Sequence, residues 1–127
     1  IRDTLRQNFL YGNKNIKSDD EIQDLVNEFQ LFKNNEKNLD TIVDTTSLSS
    51  GQMQKISFIR SLLADVNLLL LDESTSNLDI ETKDLIFKIL KNKNITIINS
   101  THNKDDFDYD HHLTIKYSGE KRLVEYV

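Results

Sequence analysis

One ordered trio of short segments constrains this chain more than anything else in it. Leu48-Ser49-Ser50-Gly51-Gln52 comes first, Leu68-Leu69-Leu70-Leu71-Asp72-Glu73 stands about twenty residues later, and Ser76-Asn77-Leu78-Asp79 comes soon after. The middle segment limits the fold most. A continuous apolar run from Val66 to Leu71 that ends in two carboxylates reads as a strand buried on both faces of a parallel sheet. In such sheets ligands bind at the carboxyl ends of the strands, so the run delivers its acids to a binding edge. Ahead of it, Ser49 is placed to cap a helix, and Gly51 allows close backbone approach. The free amides and positive dipole end of that helix suit an anion. The layout fits a nucleotide phosphate, a metal ion and a water molecule.

The surrounding pattern extends the α/β reading. Leu5, Phe9 and Leu10 give a helical spacing over residues 1–11 that stops at Gly12. Ser18 and Glu21 form a capping-box pair, and Ile22, Leu25, Val26, Phe29 and Phe32 predict an amphipathic helix to about Lys33. Residues 34–46 are mostly polar, with Leu39, Ile42 and Val43 as isolated anchors. Met53, Ile56, Ile59, Leu62 and Leu63 predict a helix from Gly51 to Ala64, and Leu85, Ile86, Ile89 and Leu90 predict another over residues 80–90. Ile95 to Ile98 reads as a second buried strand ending near Ser100-Thr101-His102, parallel to the first through a helical crossover. Asp72, Glu73 and His102 then share one sheet edge. Residues 113–126 read as a terminal hairpin turning at Ser118-Gly119-Glu120-Lys121.

Composition narrows the class. A chain of 127 residues with 37% hydrophobic content can hold one core, but it is lean enough that segments from elsewhere are expected to complete some apolar surface. A net charge of −5 speaks against a nucleic-acid surface, and the absence of cysteine excludes disulfides and thiolate chemistry. No apolar run approaches the ~20 residues a membrane helix needs. The first residue is Ile1, with Arg2 and Asp3 behind it, so the chain reads as an internal part of a longer product.

Each candidate residue also has a purely structural reading. Ser49 can be only a helix cap, and so can Asp79. Asp72 can support Mg²⁺ through water, and Glu73 can orient or deprotonate an attacking water, but both acids could instead cap the next helix. His102 can donate a hydrogen bond to a transferring phosphoryl group, or simply be solvated. His111 and His112 have no neighbours that make a ligand set.

Taken together, Leu48 to Leu63, Leu68 to Asp79 and Ser100-Thr101-His102 closely resemble the nucleotide-binding domain of ABC transporters: its signature motif, Walker B strand, D-loop and switch histidine. The segment Ile1 to Leu5 with Tyr11-Gly12 resembles the stretch just after the Q-loop in exporter-type members. The resemblance implies a partial P-loop NTPase-like core with parallel strands flanked by helices, a helical subdomain over residues 1–50, and the C-terminal half of the α/β core over residues 51–127 with its hairpin. It implies that Ser49, Ser50, Gly51 and Gln52 touch ATP held by a second nucleotide-binding domain, that Asp72 supports Mg²⁺, and that Glu73 is the catalytic base. It further implies that Asp79 communicates across the dimer and that His102 senses the γ-phosphate. Implied partners are that second domain and a transmembrane domain at the cytoplasmic face of the membrane, with no nucleic acid. Ser50 replaces the usual first glycine of the signature. No G-x-x-x-x-G-K-[ST] loop occurs, since the only glycines are Gly12, Gly51 and Gly119, so this stretch alone is expected to be inactive.

Two other readings stay open from the residues. A DNA-repair or chromosome-organising ATPase uses similar motifs, although the acidic charge and the lack of heptads before Leu48 count against it. A non-catalytic partner-binding module is the other, opposed by the presence of both Glu73 and His102.

Overall fold

The structure, a computed structural model, describes all residues except 1, 16, 34–36, 76–77, 103–107 and 127. The chain runs through β1 (Asp3–Thr4), α1 (Leu5–Leu10), α2 (Asp19–Glu28), β2 (Ile42–Val43), α3 (Ser50–Leu63), β3 (Leu68–Asp72), α4 (Ile80–Lys91), β4 (Thr96–Ser100), β5 (Leu113–Ser118) and β6 (Lys121–Tyr126). The strands form three separate pairs: β1 with β2 antiparallel, β3 with β4 parallel, and β5 with β6 antiparallel. Helices flanking a parallel pair, with an antiparallel hairpin after them, give the mixed α/β architecture expected from the pattern.

The helical part is built on local signals. Ser18 caps α2 by accepting from the Glu21 amide, and the Glu21 side chain reaches back to the Ser18 amide, completing the capping box. Helix α2 stops earlier than its apolar spacing predicts. Phe29 caps it and Gln30 takes a φ of +50°, so the chain turns away before Phe32 and Lys33. The N-terminal helix is also shorter than expected, because Asp3 and Thr4 pair with Val43 and Ile42 instead of entering it. Thr4 then caps α1. Arg6 clamps this region, its guanidinium meeting Asp19 at 2.8 and 2.9 Å and Asp40 at 2.5 Å. Leu39 and Val43 are buried anchors as expected, whereas Ile42 is exposed because its strand partners only the chain edge.

One hydrophobic cluster links these elements. Phe9, Ile22, Phe29, Ile59 and Ile86 are fully buried within it, together with Leu5, Val43 and Leu90. A side chain of this kind stabilises by roughly 1.5–3 kcal/mol when removed from water.

The parallel pair corrects the strongest expectation from sequence. Strand β3 is buried on one face only: Leu69 and Leu71 enter the core, while Leu68 and Leu70 are 48% and 67% exposed. In β4, Ile98 is likewise 58% exposed. Four consecutive leucines satisfy either face, and within this chain the core covers only one. The hairpin repeats the theme. Directly opposed residues share a face, so Leu113, Ile115 and Tyr117 lie with Tyr126, Val124 and Arg122, and this face is largely exposed. Thr114 and Lys116 with Glu125 and Leu123 form the other face, where Lys116 pairs Glu125 at 2.9 Å. Gly119, at φ +63°, makes the two-residue turn.

Candidate functional site

The parallel pair places the acids. Asp72 ends β3 opposite Ser100, the last residue of β4, and is exposed at the carboxyl end of the sheet. The next residue departs from the expected alternation. Glu73 has left the strand with φ at +51°, and its amide still donates to the Ser100 carbonyl at 3.0 Å. A left-handed backbone at a non-glycine residue costs roughly 1–2 kcal/mol, so the surrounding fold must impose it. That turn, rather than strand alternation, sets where the Glu73 carboxylate goes. Its Oε1 stands 3.4 Å from Nε2 of His102, with Glu73 38% and His102 97% exposed. Close by in sequence, Ser74 Oγ and Asn99 Nδ2 are buried without a hydrogen-bond partner.

A second group gathers at the start of α3. Ser49 is the N-cap: its hydroxyl accepts from the Gln52 amide at 3.1 Å, and Gln52 Oε1 accepts from the Ser49 amide at 2.9 Å. Asp79 caps α4, accepting from the Thr82 amide at 2.8 Å. Hydrogen bonding from Thr82 holds the Asp79 carboxyl below the usual carboxylate range. The capping readings of Ser49 and Asp79 are therefore realised. The same residues also line an open cleft of ≈ 510 Å³, where Ser49, Ser50, Gly51 and Gln52 face Asp79 and Thr82, with Gln30 and Lys33 beside them. Gly51 is helical with no positive φ, and a Cβ built on it would meet only Ser49 Oγ at 4.0 Å. Nothing within the described chain requires a glycine there.

The candidate residues thus fall into two groups. Glu73 and His102 meet at the sheet edge that also bears Asp72, and Ser49 to Gln52 gather with Asp79 in the cleft. Ser76 and Asn77, which open the third segment of the trio, lie outside the described residues. Lys55, which was not among the candidate site residues, also lines the cleft. It stands three residues after Gln52 on α3, and that helical spacing was the available signal.

Among the described residues no three His, Asp or Glu side chains gather into a metal cage. The exposed Asp72 carboxylate, a single hard-oxygen donor, fits the Mg²⁺ habit of binding through one or two carboxylates, waters and substrate phosphates. His111 belongs to neither group: it hydrogen-bonds the Tyr126 hydroxyl at the ends of the hairpin.

Comparison with known proteins bears on the family and the fold. The family profile described as ABC transporter matches residues 2–76. An ATP-dependent lipid A-core flippase of Vibrio vulnificus is 37% identical over 107 residues, covering 77% of this chain and 18% of its own. An ATP-dependent permease of Candida albicans is 33% identical over 109 residues, covering 78% of this chain and 16% of its own. The solved structure of a bacterial Atm1-family ABC exporter with ATP bound superposes with a TM-score of 0.68 at 24% identity, covering 84% of this chain and 20% of that one. That likeness speaks for the fold alone. The chain belongs to the ABC transporter family and is a part of its ATP-binding domain, spanning less than a fifth of the length of these two curated relatives. The alternative readings have no comparable support.

Proposed function

We propose that this chain supplies one half of the ATP-hydrolysing machinery of an ABC exporter, in which hydrolysis drives export across a membrane. The observation that carries the reading is the Glu73–His102 pair, 3.4 Å apart at the carboxyl end of β3 and β4, with Glu73 held at φ +51°. A fold that imposes a left-handed conformation on a glutamate beside an exposed histidine is positioning a carboxylate, and positioning is most of what phosphoryl transfer asks of a protein.

Bound Mg-ATP would supply the phosphoryl group and the metal charge that offsets its oxygens. The chain's own residues contribute further parts. Asp72 would hold the metal. Glu73 orients the attacking water and takes its proton at the carboxylate, and His102 senses the γ-phosphate while lying against Glu73. Ser49, Ser50, Gly51 and Gln52 contact ATP held by a second nucleotide-binding domain, which the clearance around Gly51 supports. Asp79, across the same cleft, carries the signal between the two domains. Residues 1–50 act as the helical subdomain and residues 51–127 as the second half of the α/β core. Its partners are that second domain and a transmembrane domain, with no nucleic acid, at the cytoplasmic face of the membrane. No helix among the described residues is long and apolar enough to cross a membrane, so those spans would come from other segments or chains.

Turnover of Mg-ATP by the protein expressed from its complete gene tests this. Glu73→Gln should lower kcat by on the order of 10²-fold or more, as loss of a general base does. A variant that retains most of its turnover would contradict the assignment.

A further inference from the structure

Helix α3 carries a half-buried lysine on the face that looks into the cleft. Lys55 lies three residues after Gln52, so the two side chains emerge side by side. Both reach the same piece of backbone. Lys55 Nζ donates to the Gln30 carbonyl at 3.2 Å, and Gln52 Nε2 approaches the Leu31 carbonyl at 3.5 Å. That backbone is the turn ending α2, where Gln30 has φ at +50°. The turn is one wall of the cleft and the signature residues are the other, with Asp79 on a third element. Gln52 has a second task, since its Oε1 accepts from the Ser49 amide. Of these two side chains, Lys55 is the one that joins signature helix to turn with a full charge.

We propose that Lys55 is a positioning residue of the cleft, its ammonium tying the Gln30 turn to α3 and so fixing the distance between the wall and the Ser49–Gln52 face. This rests on the reading of the cleft as the ATP-contacting face. The electrostatics agree with it. Burial holds the Lys55 ammonium below the usual lysine range, while the negative charges of Asp79 and Glu81 at the start of α4 pull the other way. Loss of this charged donor would free the turn and leave the Gln30 carbonyl without it.

The test uses the protein from its complete gene. Lys55→Met keeps the stem and removes the charge, and Lys55→Arg restores a cation that reaches the carbonyl. Lys55→Met should raise KM for Mg-ATP on the order of tenfold, with kcat within about twofold, and Lys55→Arg should recover most of the loss. Hydrogen exchange should accelerate in peptides covering residues 28–33 of Lys55→Met and stay unchanged in α4. An unchanged KM together with unchanged exchange at 28–33 would overturn the proposal, as would an arginine variant no better than methionine. The exchange arm is independent of turnover. A wild-type protein that fails to hydrolyse ATP would therefore count against the proposed function while leaving the tether to be judged by exchange.

Discussion

Gly51 occupies the second position of α3 with a helical backbone, and a methyl group placed on it would meet only Ser49 Oγ, at 4.0 Å. Glycine inside a helix costs roughly 0.5–1 kcal/mol relative to alanine, because its backbone loses more freedom on folding. No positive φ and no crowding within the described chain offset that cost. Gly51→Ala should therefore stabilise the fold, by about 0.5 kcal/mol given its place in the first turn. For a domain of about 150–250 residues this raises the unfolding midpoint by roughly 1–2 °C. The same methyl intrudes on the cleft where ATP is proposed to approach. Forcing a methyl into a close contact costs about 1–3 kcal/mol, which raises KM for Mg-ATP by on the order of tenfold or more. The assay pairs thermal unfolding with steady-state ATP turnover on the complete protein, each against wild type. A lower midpoint would show that the chain itself needs the glycine. An unchanged KM would show that nothing approaches it from outside. Either result would remove the case for Gly51 as a contact kept clear for nucleotide.

Further outcomes follow at Glu73, at three aspartates and at Leu70. Glu73→Gly should remove the left-handed penalty of roughly 1–2 kcal/mol, partly offset by glycine's entropy, so stability holds or rises while turnover disappears; a clearly lowered unfolding midpoint would mean that the backbone at Glu73 is not strained. Asp19, Asp44 and Asp79 are held below the usual carboxylate range, Asp19 chiefly by the Arg6 hydrogen bond, Asp44 by Thr46 and Asp79 by Thr82. Their folded values lie below the unfolded value of about 3.9, so the stability they contribute is complete above that pH and is lost as pH falls through the folded values. The urea midpoint should accordingly fall as pH is lowered below about 4, and Asp19→Asn should shrink that fall; an identical fall would contradict the Arg6 clamp. Leu70→Ser removes a side chain that is 67% exposed, so it should change the stability of the 127-residue chain by about 0.5 kcal/mol or less while reducing its light scattering. A loss of about 2 kcal/mol would mean that this chain already covers that face.

Much of this was legible because local chemistry and tertiary structure agree. The Ser18–Glu21 and Ser49–Gln52 boxes, the Asp79 cap and the glycine turn at 119 are each set by residues within a few positions of one another. The parallel register that brings Ser100 beside Asp72 comes from two apolar runs separated by one helix. The misses have a common cause. Four leucines in succession carry no period of two, so they cannot say which face of β3 is covered; that depends on what packs there. The end of α2 is set by a left-handed Gln30, a conformation that no glycine or asparagine signals at that position. The bridge between Asp3–Thr4 and Ile42–Val43 is too short to leave a pattern. For the site, the motifs marked which residues matter but not their neighbours. Helical spacing puts Lys55 beside Gln52, but its partner emerges only when the fold carries the end of α2 to within 3.2 Å of it.

On the reading proposed above, this chain holds the acids, the histidine and the signature turn of an ATP site, but not the loop that cradles the phosphates. The 127 residues contain no glycine-rich, lysine-bearing segment to supply it. Calorimetric titration of the 127-residue chain with Mg-ATP puts that division of labour to the test. No saturable binding is expected at submillimolar nucleotide; a micromolar Kd would contradict it.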